Sequence, residues 1–127
     1  MNELRQAYLF AGVPDDHLRE LLKTAHEIRL SAGEILFTQG QRADRFFFVR
    51  EGMLKLFRVS PEGDEKIIEI TQPGQTFAEA VMFMGTNSRY PVNAEALCDS
   101  RLLAFQQETF RALLENSKET CFGMLAS

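Results

Sequence analysis

The spacing of hydrophobic residues changes once near the start of the chain and again near its end. The first stripe, at intervals of three and four, consists of Leu18, Leu21, Leu22 and Ala25. This spacing predicts a helix with one buried face, which Asp15 or Asp16 can cap. From Glu27 onwards hydrophobic and polar residues alternate instead, as in strands with one buried face. The pattern therefore predicts a helix followed by a long β region.

Glycines divide the β region into short segments. They stand at Gly33, Gly40, Gly52, Gly63 and Gly74. Short strands at such regular spacing are typical of an antiparallel sandwich or barrel. The predicted strands cover residues 28–30, 35–37, 47–49, 53–59, 68–70, 90–97 and 101–105. A hairpin turn is predicted at residues 60–64, where Pro61 and Gly63 supply turn conformations.

Helical patterns interrupt and then follow the strands. After the turn at residues 72–75, a short apolar helix is predicted from Phe77 to Phe83. Phe110, Leu113 and Leu114 predict a helix near the end of the chain. A further helix is expected to begin near Ser117, and because apolar residues still accumulate up to Ser127, it has the pattern of a truncated helix.

Composition narrows the class of protein. The 127 residues fit one domain, and a net charge of −4 argues against a nucleic-acid-binding surface on this segment. No apolar run reaches the ~18 residues that a membrane span needs, and no signal-peptide pattern opens the chain. Two cysteines favour a reducing, cytoplasmic setting, and eleven phenylalanines indicate an aromatic-rich interior or pocket.

The predicted helix at residues 77–83 is the best candidate for a ligand site. A helix start offers unpaired N–H groups to an anion. Glu79 could accept hydrogen bonds from ligand hydroxyls, and Arg89 could pair with a phosphate. The apolar run from Ala80 to Met84, however, suits a flat apolar ligand better than a sugar phosphate.

Enzymatic and metal-dependent functions find little support. The two histidines are nine positions apart, whereas a metal-dependent jelly-roll enzyme needs clustered His ligands. Cys98 and Cys121 are too few for an iron–sulfur cluster. Because the chain carries no nucleophile-elbow motif, phosphate-binding loop or paired catalytic carboxylates, we predict that it is not an enzyme.

Four motifs together resemble the cyclic-nucleotide-binding-type jelly roll of the Crp/Fnr family of bacterial transcription regulators. They are Ala32-Gly33-Glu34-Ile35-Leu36-Phe37-Thr38-Gln39-Gly40, Phe48-Val49-Arg50-Glu51-Gly52, Gly74-Gln75-Thr76-Phe77-Ala78-Glu79 and Ala94-Glu95-Ala96-Leu97. The resemblance implies a mainly β fold, an antiparallel double-stranded β-helix flanked by helices, over residues 1–127. It also implies a homodimer through the C-terminal helix, with DNA bound by a helix-turn-helix domain absent from this chain.

A closer resemblance is to the dissimilatory nitrate respiration and hybrid-cluster-protein regulators. It lies in Phe77-Ala78-Glu79-Ala80, Met82-Phe83-Met84 and Tyr90-Pro91-Val92. The resemblance implies nitric oxide or redox sensing through haem, with His17 or His26 as possible haem ligands. The sequence departs from the cyclic-AMP pattern at Ala78, which replaces the family's glycine. Aligned by length from Glu79, Arg89 takes the place of the family's phosphate-binding arginine; aligned on the strand at 94–97, Tyr90 takes that place and Pro91 replaces the hydroxyl residue.

These observations define one expected effector site and leave its ligand open. The expected effector-binding residues are Phe77, Ala78, Glu79, Ala80, Met82, Phe83, Arg89, Tyr90 and Pro91. The preferred reading is a haem-dependent sensor domain. The alternatives are a cyclic-nucleotide-binding regulatory domain or a stand-alone ligand-binding module. If the chain is a haem-dependent sensor or a cyclic-nucleotide-binding regulatory domain, occupancy of the site is expected to reposition the dimerising helix and bias distant DNA-binding units.

Overall fold

The computed structural model describes residues 15–78 and 88–115, apart from the side chains of residues 111 and 113–115. Two helices, α1 (Asp15–Thr24) and α2 (Gln107–Glu115), enclose the strands in sequence. The strands are β1 (His26–Leu30), β2 (Ile35–Phe37), β3 (Arg45–Glu51), β4 (Leu54–Val59), β5 (Glu65–Thr71), β6 (Thr76–Phe77), β7 (Asn93–Ala96) and β8 (Ser100–Gln106). No helix in the described ranges is long and apolar enough to cross a membrane.

The strands form two antiparallel sheets. Sheet A has the order β1-β8-β3-β6 and sheet B has the order β2-β7-β4-β5. Sequence neighbours β1 and β2 lie in different sheets, as do β3 and β4, β5 and β6, and β7 and β8. The chain therefore passes repeatedly between the sheets, and the predicted mainly β, double-stranded β-helix fold is confirmed.

The two sheets face each other across one core. This inner face is lined by Leu30, Phe37, Phe47, Val49, Leu54, Leu56, Phe77, Ala94, Ala96, Leu102 and Ala104, with Tyr90 from the segment before β7. The side chains alternate along each strand, so the intervening residues point away from this core. In β3 and β8, however, consecutive residues are buried, because helices cover part of the outer face of sheet A.

The outer face of sheet A is divided between a helix-covered half and a charged half. Leu18 and Leu21 of α1 and Phe110 of α2 cover Phe46 and Phe105. The charged half is centred on Glu27, whose carboxylate lies 3.0 Å from Arg29 Nε, 3.3 Å from Arg101 Nε and 3.5 Å from Arg50 Nη1. Hydrogen bonds from Arg29 and Arg101 hold the pKa of Glu27 below its ordinary value.

Several local predictions are confirmed, and two need correction. The first helix and the hairpin turn are present, the latter closed by a 2.8 Å hydrogen bond from Ser60 N–H to Asp64 O. The predicted strand at 90–97 is shorter, because β7 begins at Asn93. Pro91 has no N–H to donate to a strand ladder, which explains the late start. The second correction, at Phe77, belongs to the effector site below, and the helix expected from Ser117 lies outside the described residues.

Candidate effector site

The segment predicted as a helix from Phe77 begins differently in the structure. Thr76 and Phe77 form strand β6, in register with Phe48 and Phe47 of β3. Ala78 then adopts a left-handed conformation with φ of 65°. A helix starting at Phe77 is therefore wrong, because this residue completes the edge of sheet A.

Four rings form a continuous aromatic cluster on the inner face. The centroids of Phe37 and Tyr90 are 3.8 Å apart, with the planes inclined by 11°. Phe37 and Phe47 are separated by 5.8 Å, and Phe47 and Phe77 by 5.1 Å. All three pairs are stacked, and the two that involve Phe47 lie within the ~4.5–7 Å range of favourable aromatic contacts. The predicted aromatic interior is thus present, and it is built around two residues of the expected site.

Tyr90 belongs to this core. Its side chain is 3% exposed, and its hydroxyl donates a hydrogen bond of 2.9 Å to the backbone oxygen of Arg45. Burial raises the pKa of the phenol above its ordinary value. Tyr90 therefore presents a neutral, already hydrogen-bonded group at the position that takes the phosphate-binding arginine when the chain is aligned on the strand at 94–97.

Arg89 lies on the surface. Its Nη1 donates a 2.8 Å hydrogen bond to the backbone oxygen of Gly40, and its backbone forms an isolated antiparallel bridge with Arg42. Pro91 is also exposed, and its backbone oxygen accepts a 3.0 Å hydrogen bond from Arg58 Nε. In this arrangement the Arg89 guanidinium joins two loops.

The remaining expected effector-binding residues lie outside the described residues. They are Glu79, Ala80, Met82 and Phe83, so their role in binding stays a prediction. Phe77 and Ala78 precede this segment, and Arg89, Tyr90 and Pro91 follow it closely. The described part of the site is therefore its two flanks, with the aromatic cluster joining them.

The structure adds two residues that the sequence did not assign to the site. Phe37 and Phe47 connect Tyr90 to Phe77, although they stand about 50 and 30 positions from those residues in sequence. The only available signal was the high phenylalanine content of the chain. A count of residues cannot show which rings meet, since that depends on the pairing of β2 with β7 and of β3 with β6.

The two histidines lie away from the aromatic cluster. His17 is on α1, which covers the outer face of sheet A. His26 is exposed at the start of β1, with β8 and β3 between it and Phe77 in the same row of paired residues. At a strand spacing of ~4.8 Å, this row separates them by roughly 14 Å. Across the described ranges, no group of three or more His, Cys, Asp or Glu could hold a metal ion.

A shallow cleft of about 280 Å³ opens at the other end of β1 and β8. It is lined by Arg29, Leu30, Ser31, Glu51, Asp99, Ser100 and Arg101. Its lining combines guanidinium and carboxylate groups, and Arg101 Nη1 is already paired with Glu51 at 2.9 Å. None of the expected effector-binding residues lines this cleft.

Comparison with known proteins places the fold in a defined family. The family model of the cyclic nucleotide-binding domain matches residues 27–117. The chain is 29% identical over 80 residues to the CRP-like cAMP-activated global transcriptional regulator of Mycobacterium tuberculosis, covering 63% of this chain and 36% of that protein. It is 28% identical over 107 residues to the potassium channel SKOR of Arabidopsis thaliana, covering 84% of this chain and 13% of the channel.

Solved structures of regulatory proteins are also similar to this chain. The sensor domain of the transcriptional regulator DNR from Pseudomonas aeruginosa superposes with a TM-score of 0.90 at 34% identity, covering 98% of this chain and 83% of that one. A putative cAMP-binding regulatory protein from Silicibacter pomeroyi gives 0.88 at 32% identity, covering 98% of this chain and 56% of that one. The chain belongs to the cyclic nucleotide-binding domain family and is similar to the sensor domains of its Crp/Fnr-type regulators.

Proposed function

We propose that this chain is the effector-sensing domain of a Crp/Fnr-type transcription regulator, and that its effector is a planar, largely apolar molecule. The aromatic cluster carries this proposal. Phe77 and Tyr90 stand at the two flanks of segment 79–87 and are joined through Phe37 and Phe47. A ring system bound by that segment would meet aromatic side chains, which bind planar groups through offset or edge contacts.

A cyclic nucleotide is the second candidate. The family model and the cAMP-activated regulator of Mycobacterium tuberculosis favour it. The residues on either side of segment 79–87 favour a cyclic nucleotide less, because a cyclic phosphate needs a cation or several hydrogen-bond donors when it leaves water. Arg89 is exposed and bonded to Gly40 O, while Tyr90 is buried and donates to Arg45 O. In this arrangement the Arg89 guanidinium is turned to a loop carbonyl, and the Tyr90 hydroxyl has no second hydrogen to give a phosphate.

Haem is the effector that the nitrate-respiration resemblance implies. The aromatic cluster suits a flat macrocycle, but haem iron also needs an axial ligand, commonly His. His17 lies on the far side of sheet A, and His26 stands at its distant edge. Tyrosine can also ligate haem iron, but the Tyr90 hydroxyl already donates its hydrogen to Arg45 O. The described residues therefore do not fit a histidine-ligated haem at this cluster.

The domain would act by binding and not by catalysis. Phe110 of α2 packs on the outer face of sheet A with Phe46, whose neighbour Phe47 belongs to the aromatic cluster. A ligand that changes the packing of the cluster could thereby bias the position of α2 and of the chain that follows it. Dimerisation through residues from about 117 onwards, and DNA binding by a domain beyond this chain, complete the proposal.

Titrations with contrasting probes test the proposal. Hemin is added while the absorption spectrum is recorded, and cyclic AMP and cyclic GMP are titrated by calorimetry. We expect hemin to bind, with a spectrum unchanged by His17→Ala or His26→Ala, and cyclic nucleotides to bind no better than millimolar. Phe37→Leu should weaken hemin binding, and Ile35→Ala, at an exposed side chain of the same strand, serves as the control.

Two results would contradict the proposal. Micromolar affinity for cyclic AMP that disappears in Arg89→Ala would restore the phosphate–arginine site and the cyclic-nucleotide function. Failure of hemin to bind, together with cyclic-nucleotide binding that is indifferent to Phe37→Leu, would remove the aromatic cluster from the effector site.

A further inference from the structure

Strand β5 forms an edge of sheet B. In the described ranges it pairs only with β4, so the backbone N–H and C=O groups on its other side have no strand beside them. Its residues are exposed from Glu65 to Glu69, Ile70 is half-buried, and Thr71 is buried. An unpaired edge of this kind is a ready template for another strand, and proteins usually protect it.

Two adjacent isoleucines on this edge are highly exposed. Ile67 is 53% exposed and Ile68 is 47% exposed. Ile68 is the extra residue of a bulge, because Glu69 lies opposite Leu56 whereas Ile67 lies opposite Phe57. A bulge twists an edge and can discourage pairing. This bulge nevertheless leaves two large apolar side chains in water, and their burial against a partner would be favourable.

The charged residues around the two isoleucines are complementary to a second copy of the same strand. Residues 65–70 read Glu-Lys-Ile-Ile-Glu-Ile. When a second copy runs antiparallel with its Ile68 opposite Ile67, Lys66 of each copy lies opposite Glu69 of the other. Directly opposite residues share a face with Cβ atoms ~4.5–5.5 Å apart, which is close enough for an ion pair. Neither Lys66 nor Glu69 has an ion pair or hydrogen bond with the described residues.

The charge pattern selects this register over its neighbours. A shift of one residue in one direction places Glu65 opposite Glu69, and like charges directly across a ladder are unfavourable. A shift in the other direction places Ile67 opposite Glu69, so that neither carboxylate faces a cation. A two-fold interface uses the same patch on both subunits, so the favourable Lys66–Glu69 pair occurs twice. The edge thus carries its own complement, which favours a second copy as its partner.

We propose that β5 is a self-association edge, at which two copies of this chain pair antiparallel around Ile67 and Ile68 and are held in register by Lys66 and Glu69. The pairing would join the four-stranded B sheets of the two copies into one continuous sheet. This interface is separate from the helical dimer contact proposed above and does not depend on the effector. A regulator that uses both interfaces would assemble beyond a dimer.

Charge reversal on the whole chain tests the register of the pairing. Sedimentation velocity over a concentration series measures the strength of self-association. Lys66→Glu and Glu69→Lys should each weaken it about tenfold, because two attractive pairs become two repulsive ones. An equimolar mixture of the two variants should associate within about threefold of the native chain, since every mixed pair again places a carboxylate opposite an ammonium group.

Two substitutions on α1 are matched controls. Lys23→Glu and Glu20→Lys change the net charge by the same amounts as the two reversals, at exposed residues that lie on a helix against sheet A. Both controls should associate like the native chain. Lys66 and Glu69 are also exposed, so the reversals should leave the fold intact, and thermal unfolding checks this. If either reversal unfolds the chain, Glu69→Gln should still weaken association.

Three results would overturn the inference. The native chain could remain unassociated up to millimolar concentration. Both reversals could leave association unchanged, which would place the contact elsewhere, as at the helix expected from Ser117. The mixture could associate as weakly as the separate variants, which would show that Lys66 and Glu69 do not face each other across the interface.

Discussion

Gly52 connects β3 to β4 at a point where the chain leaves no room for a side chain. Its φ is +91°, which L-residues rarely adopt. A Cβ added there would stand 2.7 Å from the backbone oxygen of Asp99 and 2.7 Å from Ser100 Cα, closer than Cβ atoms approach such groups. Gly52→Ala therefore combines backbone strain with a steric clash.

The clash cannot be relieved cheaply. Ser100 is 3% exposed and begins β8, which pairs with both β1 and β3. Its hydroxyl donates a 2.8 Å hydrogen bond to Cys98 O and accepts one of 3.3 Å from Met53 N–H. Moving Ser100 would disturb the strand at the centre of sheet A. The left-handed conformation costs about 1–2 kcal/mol in alanine, and overpacking adds about 1–3 kcal/mol.

We expect Gly52→Ala to lower the free energy of unfolding by roughly 2–5 kcal/mol, a large part of the ~5–15 kcal/mol of a typical domain. Gly63→Ala is the matched control, because Gly63 has φ of +90° but open space where its added Cβ would stand. In Gly63→Ala only the backbone strain should lower the free energy of unfolding, by about 1–2 kcal/mol. Urea unfolding of both variants measures the difference. Equal losses in the two variants would refute the steric argument.

Three further predictions concern the core, the flank of the site and the outer face. Tyr90→Phe should lower the free energy of unfolding by about 1–3 kcal/mol, since Arg45 O loses its donor. Because burial raises the Tyr90 pKa, the stability of the native protein should fall as the pH rises above the ordinary value of 10.0. Urea titrations at alkaline pH should show a smaller fall in the variant. Ala78→Gly should stabilise the domain by up to about 1 kcal/mol, since the φ of 65° strains alanine more than glycine; a lower urea midpoint would contradict this. The ionised Glu27 stabilises the native protein, and this stability is lost as the pH falls through its lowered pKa. Glu27→Gln should lack this contribution, so the free energies of unfolding of the two proteins should converge at low pH.

Only part of the candidate effector site can be predicted from the sequence. Phe77 and Tyr90 were identified from local motifs, and both belong to the aromatic cluster. Arg89 was predicted from spacing as a phosphate partner, but where an arginine side chain lies depends on the acceptors around it. Here the acceptor is Gly40 O, which belongs to another loop. Whether Arg89 meets an effector stays a prediction that Arg89→Ala tests.

Local features of the sequence determined the elements. The change from helical to alternating spacing predicted α1 and the strands, because burial on one face imposes that period whatever the partner is. Pro61 and Gly63 predicted the hairpin, since they act on their own dihedral angles. The jelly roll itself was implied by the resemblance of four motifs to the Crp/Fnr family.

The tertiary structure alone decided which residues meet. Phe37 stacks on Tyr90 because β2 pairs with β7, and Thr71 shares the inner face with Leu54 because β5 pairs with β4 in one register. Phe77 joined an edge strand instead of a helix because β3 offered a hydrogen-bonding partner. A sequence specifies the conformational preference of each residue, but contacts between distant segments follow from strand order and register. A shift of one residue in register would turn every side chain of a strand to the opposite face.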